Sequence, residues 1–252
     1  MKIVFISLLL VAAVCANAQN TIRQNDPGIG PGEQVIRPGD VRIRYDWIKP
    51  SHDFYRCVVT DTSGKIQYDF MMENFMRIDS ADNRIVFARY RQVPPGSFST
   101  DTSVTDLRVK PQRMHEIHYQ REVSLEMSFA DTLASVRTVR KGVSSVKTYP
   151  MKSGYFEDNM IEYIFPWLDL KKGIVYTLGD FKQDAAAPSD PFTVEYVFDD
   201  VWSLGAGYTV SCQVLAFTHG QTAGYIWIDT ANHTMLKEAG NFKGGMFVLR
   251  KL

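Results

Sequence analysis

The nine residues YTVSCQVLA, at positions 208–216, decide the class of fold. Apolar side chains at every second position (Tyr208, Val210, Cys212, Val214 and Ala216) fall on one side of this stretch. A period of two is typical of a strand with one buried face. The same alternation recurs at 41–47, 66–70, 123–129 and 192–198. The sequence therefore predicts a mainly β fold.

Further strands with a weaker pattern fill most of the chain between these stretches. The predicted ranges are 54–60, 84–91, 104–109, 113–119, 133–140 and 174–182. At the C-terminus, turn residues around Asn232 and Gly244 separate three more predicted strands, 222–229, 233–240 and 246–251. In the first stretch, Val41 and Ile43 share one predicted face with Tyr45 and Trp47.

One segment has the period of a helix. Its apolar residues recur at helical spacing, which places them on one face: Phe156, Met160, Ile161, Ile164 and Phe165. Glu157 and Asp158 stand near the predicted N-terminus, where acids favour the helix dipole, and Pro166 cannot continue a helix. We therefore expect one short helix of about ten residues among the strands.

The relative sizes of sheet and helix limit the possible architectures. About a dozen strands at roughly 4.8 Å spacing would span more than about 50 Å if flat, whereas the helix is about 15 Å long and about 10 Å wide. The helix cannot cover such a face. We predict a strongly curved antiparallel sheet, an incomplete barrel with the helix on its concave side. A two-layer β-sandwich is the alternative.

The N-terminus indicates export. Lys2 precedes an apolar run and the small-x-small site Ala16-Asn17-Ala18, the pattern of a signal peptide cleaved after Ala18. Residues 19–40 then form a turn-rich or disordered lead-in, and 41–252 one β-rich domain. We expect a periplasmic or extracellular protein without a transmembrane segment, because the apolar run is shorter than the roughly 20 residues of a spanning helix.

The charge of the chain limits the kinds of partner that we expect, and its cysteines raise the question of a disulfide. The chain has 28 basic and 28 acidic residues and no basic block, so we expect no nucleic-acid partner. Beyond the signal peptide the cysteines are Cys57 and Cys212. An oxidising envelope would permit a disulfide between them, and two buried free thiols are the other interpretation.

Several C-terminal motifs resemble a known family. They are FEDNMIE at 156–162, LDLKKG at 168–173, TAGYIWID at 222–229 and LKE at 236–238. Together they resemble an uncharacterised family of exported Gram-negative envelope domains, which is distantly similar to the LolA/LolB lipoprotein carriers. The resemblance covers the last hundred residues best. It implies an incomplete barrel around an apolar cavity, and it carries over no catalytic residue.

The sequence offers no convincing catalytic or metal site. A strand over 113–119 would place only Glu116 and His118 of the local candidates on one face, two ligands where zinc needs three or four. Ser144 begins a Ser-x-x-Lys string but lacks the partner motifs of the enzymes that use it. We therefore predict no cofactor, no metal and no enzymatic activity, and keep an envelope hydrolase as the least favoured hypothesis.

The large aromatic residues suggest a cavity for an apolar ligand. The candidate lining residues are Tyr45, Trp47, Phe156, Met160, Trp167, Trp202, Tyr225 and Trp227. The alternative is that they only fill the core, as large aromatics do. The first hypothesis predicts a binding or carrier module for a lipid-like molecule. The second predicts a structural protein that docks an envelope partner through exposed strand edges.

Overall fold

Extended strands make up most of the structure, a computed structural model that describes residues 34–93, 96–130, 133–150, 155–181, 192–205, 207–242 and 244–252. The predicted signal peptide and most of the predicted lead-in lie outside the described residues. The strands, in chain order, are β1 (Val35–Ile36), β2 (Ser51–Thr60), β3 (Ile66–Asp79), β4 (Arg84–Val93), β5 (Ser97–Asp106), β6 (Pro111–His118), β7 (Val123–Phe129), β8 (Leu133–Arg140), β9 (Val143–Pro150), β10 (Tyr155–Glu157), β11 (Val175–Phe181), β12 (Phe192–Gly205), β13 (Tyr208–His219), β14 (Thr222–Asp229), β15 (Met235–Phe242) and β16 (Gly245–Lys251).

The strands form one large curved sheet that does not close. Its hydrogen-bonded order is β1-β11-β12-β13-β14-β15-β16-β2-β3-β4-β5-β6-β7-β8-β9, and β10 pairs with β11 beside this path. β1 and β10 run parallel to β11, while the neighbours along the rest of the path are antiparallel. The last strand, β16, pairs with β2 and so joins the two ends of the described chain. This confirms the predicted curved, unclosed antiparallel sheet.

The predicted helix is present, but it starts later than its apolar spacing suggests. Tyr155–Glu157 is strand β10, and the helical part runs through a 3-10 turn at Asp158–Met160, the α-helix α1 at Ile161–Ile164, and a 3-10 turn at Phe165–Trp167. The backbone N–H of Asn159 donates to the Glu157 carboxylate at 2.8 Å, which caps the start. The capping acid therefore stands outside the helix rather than in its first turn.

The predicted strand at 41–47 is wrong. Val41 is 89% exposed, Ile43 is buried, and Tyr45–Trp47 forms a 3-10 helix. The backbone here pairs with the chain that follows the helix: Arg44 N donates to Trp167 O at 2.8 Å, and Asp169 N donates to Arg42 O at 2.9 Å. These two hydrogen bonds satisfy backbone groups of the segment. Its sequence alternates like a strand, but it makes only one β-bridge, between Ile43 and Leu168.

The main core lies on the concave face around the helix. It includes 28 buried apolar residues from the N-terminal segment, the helix and the inner faces of β2–β4 and β11–β16. None of its buried members among the described residues comes from β6–β9, where a separate cluster contains only Met114, Leu125, Met127 and Val136. The helix thus packs against one part of the concave face, and an open depression remains along part of the inner face of β6–β9.

Candidate functional site

The residues predicted to line a cavity fall in three places. Phe156 and Met160 are completely buried in the main core beside the helix. Tyr45 is half-buried against the same core, and its hydroxyl donates to Asp40 O at 3.3 Å. Phe156 and Met160 thus lie within the main core, and Tyr45 packs against it.

Trp47 and Trp167 border a small cavity at the end of the helix, which we call the Trp47 cavity. Its volume is about 240 Å³, and its wall also includes Tyr55, Tyr163 and Met235. The Trp47 ring stacks on the His233 ring with centroids 3.6 Å apart and planes 3° from parallel. These two of the predicted lining residues do meet at a cavity.

Trp202, Tyr225 and Trp227 lie on the opposite, outer face of the sheet. Their neighbours in β14, Ile226 and Ile228, belong to the main core, so the alternation of a strand turns Tyr225 and Trp227 outward. A cation–aromatic cluster holds the two tryptophans there. It comprises Lys237 Nζ at 4.1 Å from the Trp227 ring and 5.3 Å from the Trp202 ring, and the Arg250 guanidinium 5.1 Å above Trp202. Trp227 Nε1 also donates to Asp200 at 2.9 Å.

Cys57 and Cys212 are both free, buried thiols. Cys57 is a member of the main core, whereas Cys212 pairs in register with Asp200, whose carboxylate holds Trp227 on the outer face. The two thiols therefore point to opposite faces of the sheet. Burial raises the pKa of Cys57 to about 12, which keeps that thiol protonated.

A polar network that the sequence did not indicate crosses the concave interior. Buried Arg89 donates to Glu162 at 2.7 Å and to Asn74 at 3.3 Å, and its guanidinium lies 5.2 Å from the Tyr163 ring. Glu238 is buried nearby, and desolvation, with repulsion from Glu162, raises the pKa of its carboxyl well above the usual value. The pairing with Arg89 explains how the charged Glu162 of α1 is accommodated under the sheet.

A second buried acid ties β10 to the middle of the sheet. Glu157 is 1% exposed, and its carboxyl group accepts from Ser103 Oγ of β5 at 2.5 Å. Burial raises the pKa of Glu157 to about 8, although its bonds from Ser103 and Asn159 favour the charged form. The carboxyl group therefore carries a proton over much of the neutral range.

The inner face of β6–β9 forms an open depression of about 740 Å³, which we call the β6–β9 groove. Its wall comprises Glu116, His118, Arg121, Val123, Leu125, Val136, Thr138, Arg140, Lys141, Val143, Ser145, Lys147 and Tyr149. Leu125 and Val136 are buried at its floor and belong to the small second cluster. The groove thus combines an apolar floor with a polar rim.

The rim of the groove is strongly basic. It carries four cationic side chains, Arg121, Arg140, Lys141 and Lys147, against the single carboxylate of Glu116. Its carboxylate lies 2.9 Å from His118 Nε2. Across the ranges that the structure describes, none of the four cations is within ion-pair distance of a carboxylate.

Neither a metal cluster nor a spanning helix is found in the described part of the chain. No group of three or more His, Cys, Asp or Glu side chains there could hold a metal ion. None of the helices described is long and apolar enough to cross a membrane.

Comparison with known proteins identifies the family. Residues 64–241, from the β2–β3 turn into β15, match the family described as protein of unknown function DUF3108. The chain belongs to the DUF3108 family. This DUF3108 match includes the helix and the whole β6–β9 groove. It confirms the predicted membership of an uncharacterised family, while the link to LolA/LolB stays a prediction.

A solved structure supports the fold of this DUF3108 chain. It is similar to a β-barrel-like protein of a domain of unknown function, DUF1849, from Brucella abortus, with a TM-score of 0.55 and 12% identity. The match covers 81% of this chain and 95% of that one. At this identity the likeness concerns the fold alone. A search of curated proteins gave no significant match.

Proposed function

We propose that the protein is an exported, non-enzymatic binding or carrier module for an apolar, lipid-like ligand that lies in the β6–β9 groove. The observation that carries this proposal is the concave face that the helix leaves uncovered, with Leu125 and Val136 at its floor. Ligand pockets typically have volumes of about 300–1,000 Å³. The groove, at about 740 Å³, is within that range, and the Trp47 cavity, at about 240 Å³, is below it.

A matched pair of substitutions on one strand tests this assignment. Thr138 of β8 lines the groove, whereas Ser135, three positions away in the same strand, points to the outer face. We expect Thr138→Trp to fill the groove and weaken binding of the neutral fluorescent probe N-phenyl-1-naphthylamine at least about tenfold, while Ser135→Trp leaves it unchanged. Equal binding by the wild type and both variants would place the probe elsewhere and contradict the proposal.

Native mass spectrometry tests whether the protein carries a natural ligand. The mature protein should be purified from an exported expression without detergent. We expect a bound mass in the lipid range, retained by the Ser135→Trp variant and lost from the Thr138→Trp variant. A bare polypeptide mass for the wild type would count against a stably bound ligand.

A protein-interaction role is the second candidate, and the edge strand β9 favours it. β9 pairs only with β8 in the described chain, and seven of its eight residues, Val143–Thr148 and Pro150, are exposed. Such a strand can accept an extended segment of a partner through backbone hydrogen bonds. Isolation of the exported protein as an uncomplexed monomer after cross-linking in its native envelope would contradict this role.

A further inference from the structure

The cations of the β6–β9 groove are concentrated at one end. Arg121 lies in the β6–β7 connection, Arg140 is the last residue of β8, and Lys141 is in the β8–β9 turn. Lys141 N donates to Glu122 O at 3.0 Å, which joins the two turns. Arg140 also pairs in register with Val123 of β7. Three positive charges are therefore held together at the turn end.

The rest of the groove becomes apolar away from this end. Along β8, Arg140 is followed on the inner face by Thr138 and then by the buried Val136, and Leu125 is opposite Thr138 in β7. Lys147 of β9, opposite Val136, adds one cation at the open edge. The inner face thus changes from charged to apolar within about 14 Å, at roughly 3.4 Å per residue.

Among the residues that the structure describes, no carboxylate lies within ion-pair distance of the three turn-end cations. Several other cations of the chain do have a carboxylate partner, as in Arg42 with Asp40, Arg56 with Asp69 and Lys251 with Asp53. The lining of the groove instead has four cations and one carboxylate, on a chain whose total charge is zero. A wall of one sign attracts a ligand of the opposite sign, and arginine is well suited to bidentate contacts with carboxylate or phosphate.

We propose that the β6–β9 groove binds an amphiphile with an anionic head group, phosphate or carboxylate, which Arg121, Arg140 and Lys141 contact while its apolar chain lies on Leu125 and Val136. This inference rests on the proposed function and adds the head-group chemistry and the orientation of the ligand.

Three probes with the same twelve-carbon chain test the head group: dodecyl phosphate, dodecanoate and the neutral 1-dodecanol. Their binding to the mature protein is measured by calorimetry at low salt, below the concentrations at which they aggregate. We expect at least one anionic probe to bind about tenfold or more tighter than the alcohol, and this advantage to shrink at high salt. The tighter of the two anions identifies the head group as phosphate or carboxylate.

Two triple variants test where the head group binds. Each removes three positive charges. Arg121→Gln/Arg140→Gln/Lys141→Gln should lose the anionic preference and keep the affinity for 1-dodecanol. The control Lys65→Gln/Arg77→Gln/Arg113→Gln changes exposed cations outside the groove and should keep both. Circular dichroism and thermal unfolding establish that both variants fold.

The outcomes separate this inference from the function on which it rests. Equal affinity for all three probes, weakened by Thr138→Trp, would overturn the anionic head group and leave an apolar binding module. An equal loss of preference in both triple variants would also overturn it, because the effect would come from net charge. Absence of binding by every probe would overturn the inference together with the proposed function.

Discussion

Glu157 shows how one buried side chain couples stability to pH. In the folded protein the pKa of its carboxyl is about 8, above the 4.5 of an exposed glutamate, so the native state holds a proton that the unfolded chain releases. The resulting contribution to stability is full below about pH 4.5 and is lost as the pH rises to about 8. Buried Glu238, whose pKa is also raised, acts in the same direction.

We predict that Glu157→Gln flattens this dependence. Glutamine stays neutral, can accept from Asn159 N and can donate to Ser103 Oγ, so the variant should be more stable than the wild type at pH 9. The slope of the unfolding free energy between pH 5 and pH 8 should become less negative by up to about 1.4 kcal/mol per pH unit. Urea unfolding at a series of pH values measures it. The exposed control Glu126→Gln should keep the wild-type slope, and an equal slope in Glu157→Gln would contradict the prediction.

Single side chains of the site were only partly predictable from the sequence. The outward direction of Trp227 follows from its place between Ile226 and Ile228, but which face of a strand meets the core depends on the whole sheet. Arg121 and Lys141 carry no sequence signal, because they converge only when β6–β7 and β8–β9 turn at the same end of the sheet. A site assembled from turns of different hairpins needs the strand register, which local patterns do not provide.

At the scale of the element, a glycine pair lets β14 and β15 approach closely. Gly224 and Gly240 are opposite each other, with Phe217 of β13 and Phe247 of β16 in register on either side. A Cβ atom on Gly224 would lie 2.7 Å from Gly240 Cα and 2.9 Å from the Phe217 ring. The two rings therefore cover backbone that carries no side chain of its own.

We predict that Gly224→Ala destabilises the protein by about 1–3 kcal/mol, since the added methyl group must displace backbone as well as a ring. Thr222→Ala in the same strand removes atoms and should change stability by less than about 1 kcal/mol. Thermal and urea unfolding compare the two. A Gly224→Ala variant as stable as the wild type would show that the strands separate at little cost.

Most elements were predictable where one face of a strand is buried and the other is not. β7 and β13 begin at the residues that their alternation indicates, Val123 and Tyr208. β9 is absent from the predicted strands, because most of its side chains are exposed and give no period. The segment 41–47 has the alternation of a strand but does not form one, since its backbone hydrogen-bonds to Trp167 and Asp169.

At the scale of the whole molecule, the two parts of the sheet differ in the apolar contacts that hold them. The main core has 28 buried members among the described residues, whereas the cluster on β6–β8 has four. Regions with few buried apolar contacts open at lower free energy than the core. We therefore expect the part of the sheet that carries the groove to open at lower free energy than the part around the main core.

We predict that amides of β8 and β9 exchange hydrogen faster than those of β13 and β14, measured by mass spectrometry on the free protein. Binding of an amphiphile in the groove should slow exchange in β8 and leave β13 unchanged, because bound ligand stabilises the state that holds it. Uniform protection across all four strands would contradict this division of the sheet.

The unequal ends of the sheet limit how copies of the protein can assemble. At one end β1 has only two residues, and β10 occupies further positions along β11. At the other end β9 has eight. A fibre in which successive copies pair through their edge strands requires two long free edges on every copy. Each copy here has one long free edge among its described strands. Self-association through β9 should therefore stop at a closed twofold dimer, with both long edges consumed.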